Sequence, residues 1–252
     1  MEATTLSTTA SAPAPPTAHQ SALLRWGSAD PTARRATAEA VADHLVRTGA
    51  VQLRPRAFFT FASGFTTPAY CDLRLALGDV DARRAIADAL AAAVRDRFLG
   101  GDGSRSDAVT VVGVATGGIP YATGAADRLG LPLAYVRSAP KDHGTGRRVE
   151  GGLVQGGRCV VVDDVFGSGA AALDAVRSLQ DYGAEVLGVC GVFSYDFDTL
   201  TSSVAAAGVP FVRLVDFATT VDRAQSVGVI DSTERDLVRA WYAPRSAWRS
   251  SA

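Results

Sequence analysis

The sequence predicts an α/β protein built on a mainly parallel, open sheet flanked by helices, with a small N-terminal hood. Three observations carry this. Apolar, β-branched runs recur near residues 109, 132, 159, 187 and 211, and segments with helical periodicity separate most of them. Two of the runs end in glycine turns that lead straight into a helical pattern, Thr116-Gly117-Gly118-Ile119-Pro120 and Gly167-Ser168-Gly169, as βα units do. At 252 residues the chain suits one large domain or a domain with a small appendage. The expected division is a disordered tail over 1–30 and a single domain over 31–252. Within that domain the hood covers about 31–75, the core about 80–217 and C-terminal helices 218–245.

Residues 1–30 are rich in Ala, Ser, Thr and Pro, and so few large side chains cannot offset the entropy of ordering. The stretch lacks a basic segment followed by an apolar one, so it does not read as a signal peptide. A helix is expected from Pro31, with Asp30 as N-cap, an apolar stripe of Ala40, Val41, Leu45 and Val46, and a stop at Gly49. Val51 to Phe61 is loosely strand-like, Ser63-Gly64 is a turn, and Thr67-Pro68 forces an extended approach to Tyr70-Cys71-Asp72. Of Phe58, Phe59, Phe61 and Phe65, at least half read as plain core packing. Ala85, Ile86, Ala89, Leu90 and Val94 mark a helix from Asp81 to Phe98, and 100–107 is a loop.

A buried strand over 108–115, the turn at 116–120, a helix over 121–129 and a strand over 131–137 follow. Then come about twenty polar, glycine-rich residues, 138–157, and an unpaired loop of that length in a compact domain is usually functional. Beyond the strand at 159 the pattern gives a helix over 171–182 and strands over 186–193 and 210–216. Asp216, with Thr219 or Thr220, starts the next helix, and Asp231-Ser232-Thr233 opens a last one carrying Leu237, Val238 and Trp241.

Charge is balanced at 25 basic and 26 acidic residues, which argues against nucleic acid as the main partner. Cys71, Cys159 and Cys190 lie far apart without metal-ligand spacing, and the latter two sit in apolar runs as small hydrophobes. An odd count with no secretory signal favours a reducing cytoplasm. No apolar run reaches the ~20 residues that span a bilayer, so no membrane partner is expected.

The chemistry concentrates in RCVVVDDVFGSGAAAL, residues 158–173. Here an apolar strand delivers two acids, Asp163 and Asp164, to a small-residue turn at the start of a helix. Glycines leave amide hydrogens unobstructed, and a helix start adds orphan N–H groups and a positive dipole end, which together make an anion site. Paired carboxylates before such a cradle suit a ligand with vicinal hydroxyls and a phosphate. Taken alone, the segment also fits a strand whose acids merely cap the next helix.

VVVDDVFGSGAA resembles the phosphoribosyl diphosphate (PRPP) signature of the type I phosphoribosyltransferases. KDHGTG at 141–146 is close to the catalytic loop of the orotate branch, and Ser63-Gly64, Thr67-Pro68 and Tyr70 resemble the hood that covers its base. The VFSYDF segment and the helical tail resemble that branch too, so the similarity spans roughly Val46 to Tyr242. It implies transfer of the phosphoribosyl group from PRPP to orotate, giving orotidine 5′-monophosphate and pyrophosphate, a step of pyrimidine synthesis.

By the same resemblance, Asp163 and Asp164 hold the ribose hydroxyls, and the backbone of Val165, Phe166, Gly167, Ser168, Gly169 and Ala170 cradles the 5′-phosphate. Thr116, Gly117 and Gly118 hold pyrophosphate, Tyr70 and Ser63 lie at the base, and Arg137, Lys141 and His143 stabilise the leaving charge. Mg²⁺ is expected on the substrate oxygens rather than in a protein cage. A homodimer is expected, with the 138–157 loop acting in the neighbouring site.

The chain departs from the family pattern at several positions. Ala62 replaces a lysine before the hood Ser-Gly, Ser138 a basic residue after Arg137, and Gly167 a threonine; Ala170 stands where a hydroxyl residue is common. No arginine for the base carboxylate lies near Ser194-Tyr195. Arg54, Arg56, Arg74, Arg147 and Arg148 are the cations that could compensate. Two alternatives therefore stay open: a paralogue acting on another base, and a PRPP-binding regulator that does no chemistry.

Overall fold

The computed structural model describes residues 23–25, 31–60, 66–101, 109–139, 148–153 and 155–242. The first half of the chain forms β1 (Leu23–Arg25), α1 (Pro31–Arg47), β2 (Val51–Leu53), β3 (Phe59–Thr60), β4 (Thr66–Thr67), β5 (Ala69–Cys71), a 3-10 helix (Leu73–Gly78) and α2 (Val80–Phe98). There follow β6 (Val109–Val114), α3 (Gly118–Leu129), β7 (Leu133–Val136), β8 (Val149–Gly151), β9 (Arg158–Phe166) and α4 (Ala170–Asp181). The chain closes with β10 (Glu185–Ser194), α5 (Asp198–Ala207), β11 (Phe211–Asp216), α6 (Phe217–Ser226) and α7 (Ser232–Tyr242).

Seven strands form one sheet in the order β1-β11-β10-β9-β6-β7-β8, parallel except for β8, which runs antiparallel to β7. Both faces are covered, as the near-continuous apolar runs require. In β9 the period of two sends Val160 and Val162 to the face packed by α1, α2, α3 and α6, and Cys159 and Val161 to the face packed by α4 and α5. The direction of winding reverses at the centre. From β6 the chain moves outward to β7, then returns to β9 on the other side of β6 and proceeds to β10 and β11. The carboxyl ends of β6 and β9 therefore flank a topological switch point, where open α/β sheets bind their ligands.

The expected caps form. The Asp216 carboxylate accepts from the Thr219 amide at 2.7 Å at the start of α6. Asp231 and Glu234 exchange backbone and side-chain bonds at 2.7 and 3.1 Å, a capping box for α7. Three boundaries differ from expectation. Leu23–Arg25, within the stretch expected to be disordered, pairs with Phe211–Arg213 of β11; strand addition to an open edge runs through backbone groups and leaves no side-chain pattern. Val149–Gly151 pairs with Ala134–Val136, so the expected 138–157 loop contains an edge strand for the same reason. Helix α3 begins at Gly118, three residues before Tyr121, because the glycine turn itself takes helical dihedrals. Asp30 lies outside the described residues, and no described helix is long and apolar enough to cross a membrane.

Candidate active site

Strand register brings the two glycine turns to one acidic pair. Gly113 of β6 lies beside Val162 of β9, so the turn after β6 reaches the level of Asp163 and Asp164. The fit is close. A Cβ on Gly117 would come within 2.6 Å of Asp164 Cγ, and one on Gly118 within 2.6 Å of the Val162 carbonyl oxygen and 3.1 Å of Asp163 Cα. Both positions therefore need glycine for the approach of α3 to β9 rather than for an unusual dihedral. The turn contains a cis peptide between Ala115 and Thr116.

Asp163 is buried and Asp164 half-buried. Burial, reinforced by the neighbouring Asp164 carboxylate, pushes the Asp163 carboxyl well above the usual carboxylate range. Asp163 Oδ1 accepts the Asp164 amide at 2.9 Å, and Asp164 Oδ1 accepts the Val165 amide at 3.0 Å. These bonds orient the pair at the carboxyl end of β9.

Past β9, Phe166 is fully buried against Phe211 at 5.4 Å, so it can offer a ligand only its backbone. Gly169 takes φ 77° and lies against the Leu200 side chain, which makes glycine obligatory there. Gly167 faces open space. The Ala170 amide is engaged by the Ser168 hydroxyl at 3.4 Å, whereas no described backbone bond engages the amides of Gly167, Ser168 or Gly169. Those three N–H groups stand at the start of α4, where the helix dipole favours an anion.

The hood closes the other side. Tyr70 and Cys71 lie on β5, and the Asp164 carboxylate is near enough to help raise the Cys71 thiol, although burial is the larger cause. The Tyr121 hydroxyl, one turn into α3, donates to the Leu73 carbonyl at 2.6 Å and ties hood to core. Tyr195, just past β10, was not among the expected site residues. Its ring packs against Phe193 at 5.1 Å, Phe197 at 5.2 Å and Phe217 at 5.6 Å, and burial is the main cause that raises its hydroxyl, with Cys71 and Tyr70 adding to it. Its amide bonds the Phe166 carbonyl at 3.0 Å, and its own carbonyl accepts the Tyr242 hydroxyl at 2.5 Å. Of the other expected residues, Arg137 is half-exposed at the end of β7, 4.0 Å from Glu150. Ser63, Lys141 and His143 lie outside the described residues.

The candidate compensating arginines separate clearly. Arg54 lies over the Phe59 ring at 4.5 Å, Arg56 pairs with Glu234 at 3.2 Å, and Arg148 pairs with Asp174. Arg74 stays on the hood, paired with Asp72 at 2.7 Å, and Arg147 is outside the described residues. A cavity of about 500 Å³ between α1, β11 and α6 holds four arginines, but it lies at the sheet margin and none of its lining residues comes from β6 or β9. Three of its arginines are already matched, Arg35 with Glu39, Arg213 with Asp216 and Arg223 with Asp43.

A doubly wound sheet with an acidic pair and two glycine turns at its switch point defines the phosphoribosyltransferase class, and the phosphoribosyl transferase domain family matches residues 77–200. An orotate phosphoribosyltransferase of Cutibacterium acnes is 39% identical over 207 residues, covering 82% of this chain and 93% of that protein. The crystal structure of the Aeropyrum pernix orotate phosphoribosyltransferase superposes with a TM-score of 0.61 at 31% identity, covering 76% of this chain and 99% of that one. The Mycobacterium tuberculosis orotate phosphoribosyltransferase in complex with PRPP gives a TM-score of 0.56 at 27% identity, covering 73% and 98%. The chain belongs to the orotate phosphoribosyltransferase family. Neither the other-base paralogue nor the regulator is favoured by these relatives.

Proposed function

We infer that the protein catalyses magnesium-dependent transfer of the phosphoribosyl group of PRPP to orotate. The observation that carries this is the convergence of two glycine turns on one acidic pair at the switch point between β6 and β9. The PRPP complex of the Mycobacterium tuberculosis relative supports the same donor.

In this reading a ring nitrogen of the base bonds to the anomeric carbon as the carbon–oxygen bond to diphosphate breaks, and the electron pair leaves on diphosphate. Asp163 and Asp164 accept hydrogen bonds from the ribose hydroxyls and stabilise the electron-poor sugar. The amides of Gly167, Ser168 and Gly169 hold the 5′-phosphate, and the turn at 116–118 holds the diphosphate. Tyr70 bounds the base.

Two acids at one rim, rather than a cage of four or more oxygens, fit a small octahedral ion carried mainly by substrate. When bound, Mg²⁺ neutralises diphosphate charge. Arg137 adds positive charge from β7. Lys141 and His143 complete that role across a homodimer interface, a reading that rests on the KDHG resemblance.

The test is orotate consumption, followed by absorbance, with PRPP and magnesium. Turnover is expected, and its absence with PRPP still bound overturns the orotate reading. Lys141→Ala should lower turnover far more than PRPP affinity; equal losses would count against the loop's role in the transition state.

A further inference from the structure

We propose that Arg74 is a diphosphate-binding residue, replacing from the hood the positive charge absent at Ala62 and Ser138. This deepens the PRPP reading above and rests on it. The placement follows from the contacts of the segment that carries Arg74. The Tyr121–Leu73 hydrogen bond at 2.6 Å pins the residue before Arg74 to α3, one helical turn from Gly117 and Gly118. Those glycines abut Asp164 and Asp163. Arg74 therefore belongs to the segment of the hood that Tyr121 ties to the first turn of α3.

Its guanidinium is also pre-oriented. Asp72 accepts from Arg74 Nε at 2.7 Å and from Nη2 at 2.8 Å, and also from the Arg74 amide at 3.1 Å. This two-point fork fixes the plane of the group while leaving Nη1 and the second Nη2 hydrogen for a ligand. The side chain is 67% exposed, and among the described residues Asp72 is the one carboxylate paired with it. Both Tyr70 and Asp164 act electrostatically on Arg74, after the larger effect of Asp72, so the group lies within range of the base side and the ribose side together. Arg74 and two of the other candidates all pair with carboxylates, and what separates them is place: Arg56 is drawn to Glu234 of α7, Arg148 to Asp174 of α4, and Arg54 lies on Phe59, whereas Arg74 stays with its own neighbour Asp72.

A diphosphate contact and a base-carboxylate contact make different predictions, and the product separates them because orotidine 5′-monophosphate has the base and the 5′-phosphate but no diphosphate. Equilibrium binding of PRPP, pyrophosphate and orotidine 5′-monophosphate, each with magnesium, should be measured for the wild type, Arg74→Ala and Arg74→Lys. Arg74→Ala should weaken PRPP and pyrophosphate about 10- to 150-fold, the range of a charge-assisted hydrogen bond, and leave the nucleotide within about twofold. Arg74→Lys should recover part of the loss, because it restores the charge without the fork.

Equal weakening of all three ligands, or of the nucleotide alone, overturns the proposal, as does unchanged pyrophosphate binding. Circular dichroism melting guards against a folding defect: a variant that melts with the wild type yet loses only the diphosphate ligands supports the contact. Failure of the wider reading shows separately, as a wild type that binds none of the three.

Discussion

Gly117→Ala isolates the geometry of the acidic pair from the stability of the fold. Gly117 has φ −63° and ψ −35°, which alanine adopts freely, so the backbone does not resist the change. The new methyl group would lie 2.6 Å from Asp164 Cγ, and ordinary van der Waals separation requires the carboxylate to withdraw by about 1 Å. Withdrawal breaks the 3.0 Å bond to the Val165 amide, costing ~1 kcal/mol. Alanine in place of glycine at a helix start returns ~0.5–1 kcal/mol of backbone entropy. The net effect on stability is near zero, so the melting temperature should move by less than about 3 °C. Activity should not be spared, since misplacing a reacting group by ~1 Å can cost about 10²-fold. Steady-state kcat/KM for PRPP should fall about 100-fold, and in an Asp164→Ala background the same change should add little, because the two act through one contact. Retention of kcat/KM within threefold, or full additivity in the double mutant, would refute the reasoning.

Three further outcomes follow from the same site. Asp163→Asn should raise the melting temperature at pH 7 while reducing turnover: burial raises the folded pKa, so wild-type stability declines as pH climbs from ~4, the unfolded value, through the folded one. The gap between variant and wild type should accordingly close near pH 4 in a pH series of thermal melts, and a constant gap would contradict it. Gly167→Thr should fold normally, since nothing lies within 4 Å of the added carbon, and should tighten PRPP severalfold by supplying a hydroxyl, as read by calorimetric titration. Tyr242→Phe removes the 2.5 Å bond to the Tyr195 carbonyl and should lower the melting temperature by about 2–4 °C, equivalent to ~1 kcal/mol.

The five main strands, the helices between most of them and the switch-point crevice were legible because each rests on periodicity within a continuous segment, whereas α5 (Asp198–Ala207) was not expected. The acids and glycines of β9 were legible for the same reason: the chemistry and the turn occupy adjacent positions. Contacts between distant segments were not. Tyr121 meets Leu73 across 48 residues and Tyr242 meets Tyr195 across 47, and nothing local distinguishes either tyrosine from an ordinary core aromatic. Arg74 stood as one of five interchangeable arginines until the fold committed others elsewhere. The strands at the sheet margins, β1 and β8, escaped for a different reason. Three residues are too few to show alternation, and their pairing is dictated by the neighbour they join.

Those marginal strands bear on how the molecule behaves in a crowd. Phe211–Asp216 is a run of apolar residues with two charges, buried on both faces, and among the described residues its outward backbone is paired by the three residues of β1. A seal that short contributes few ladder bonds and opens more readily than the interior of the sheet. Once open, the strand offers a template to any extended chain. Shortening the polypeptide past Arg25 would thus expose a surface prone to self-association, and solubility would suffer before catalysis did.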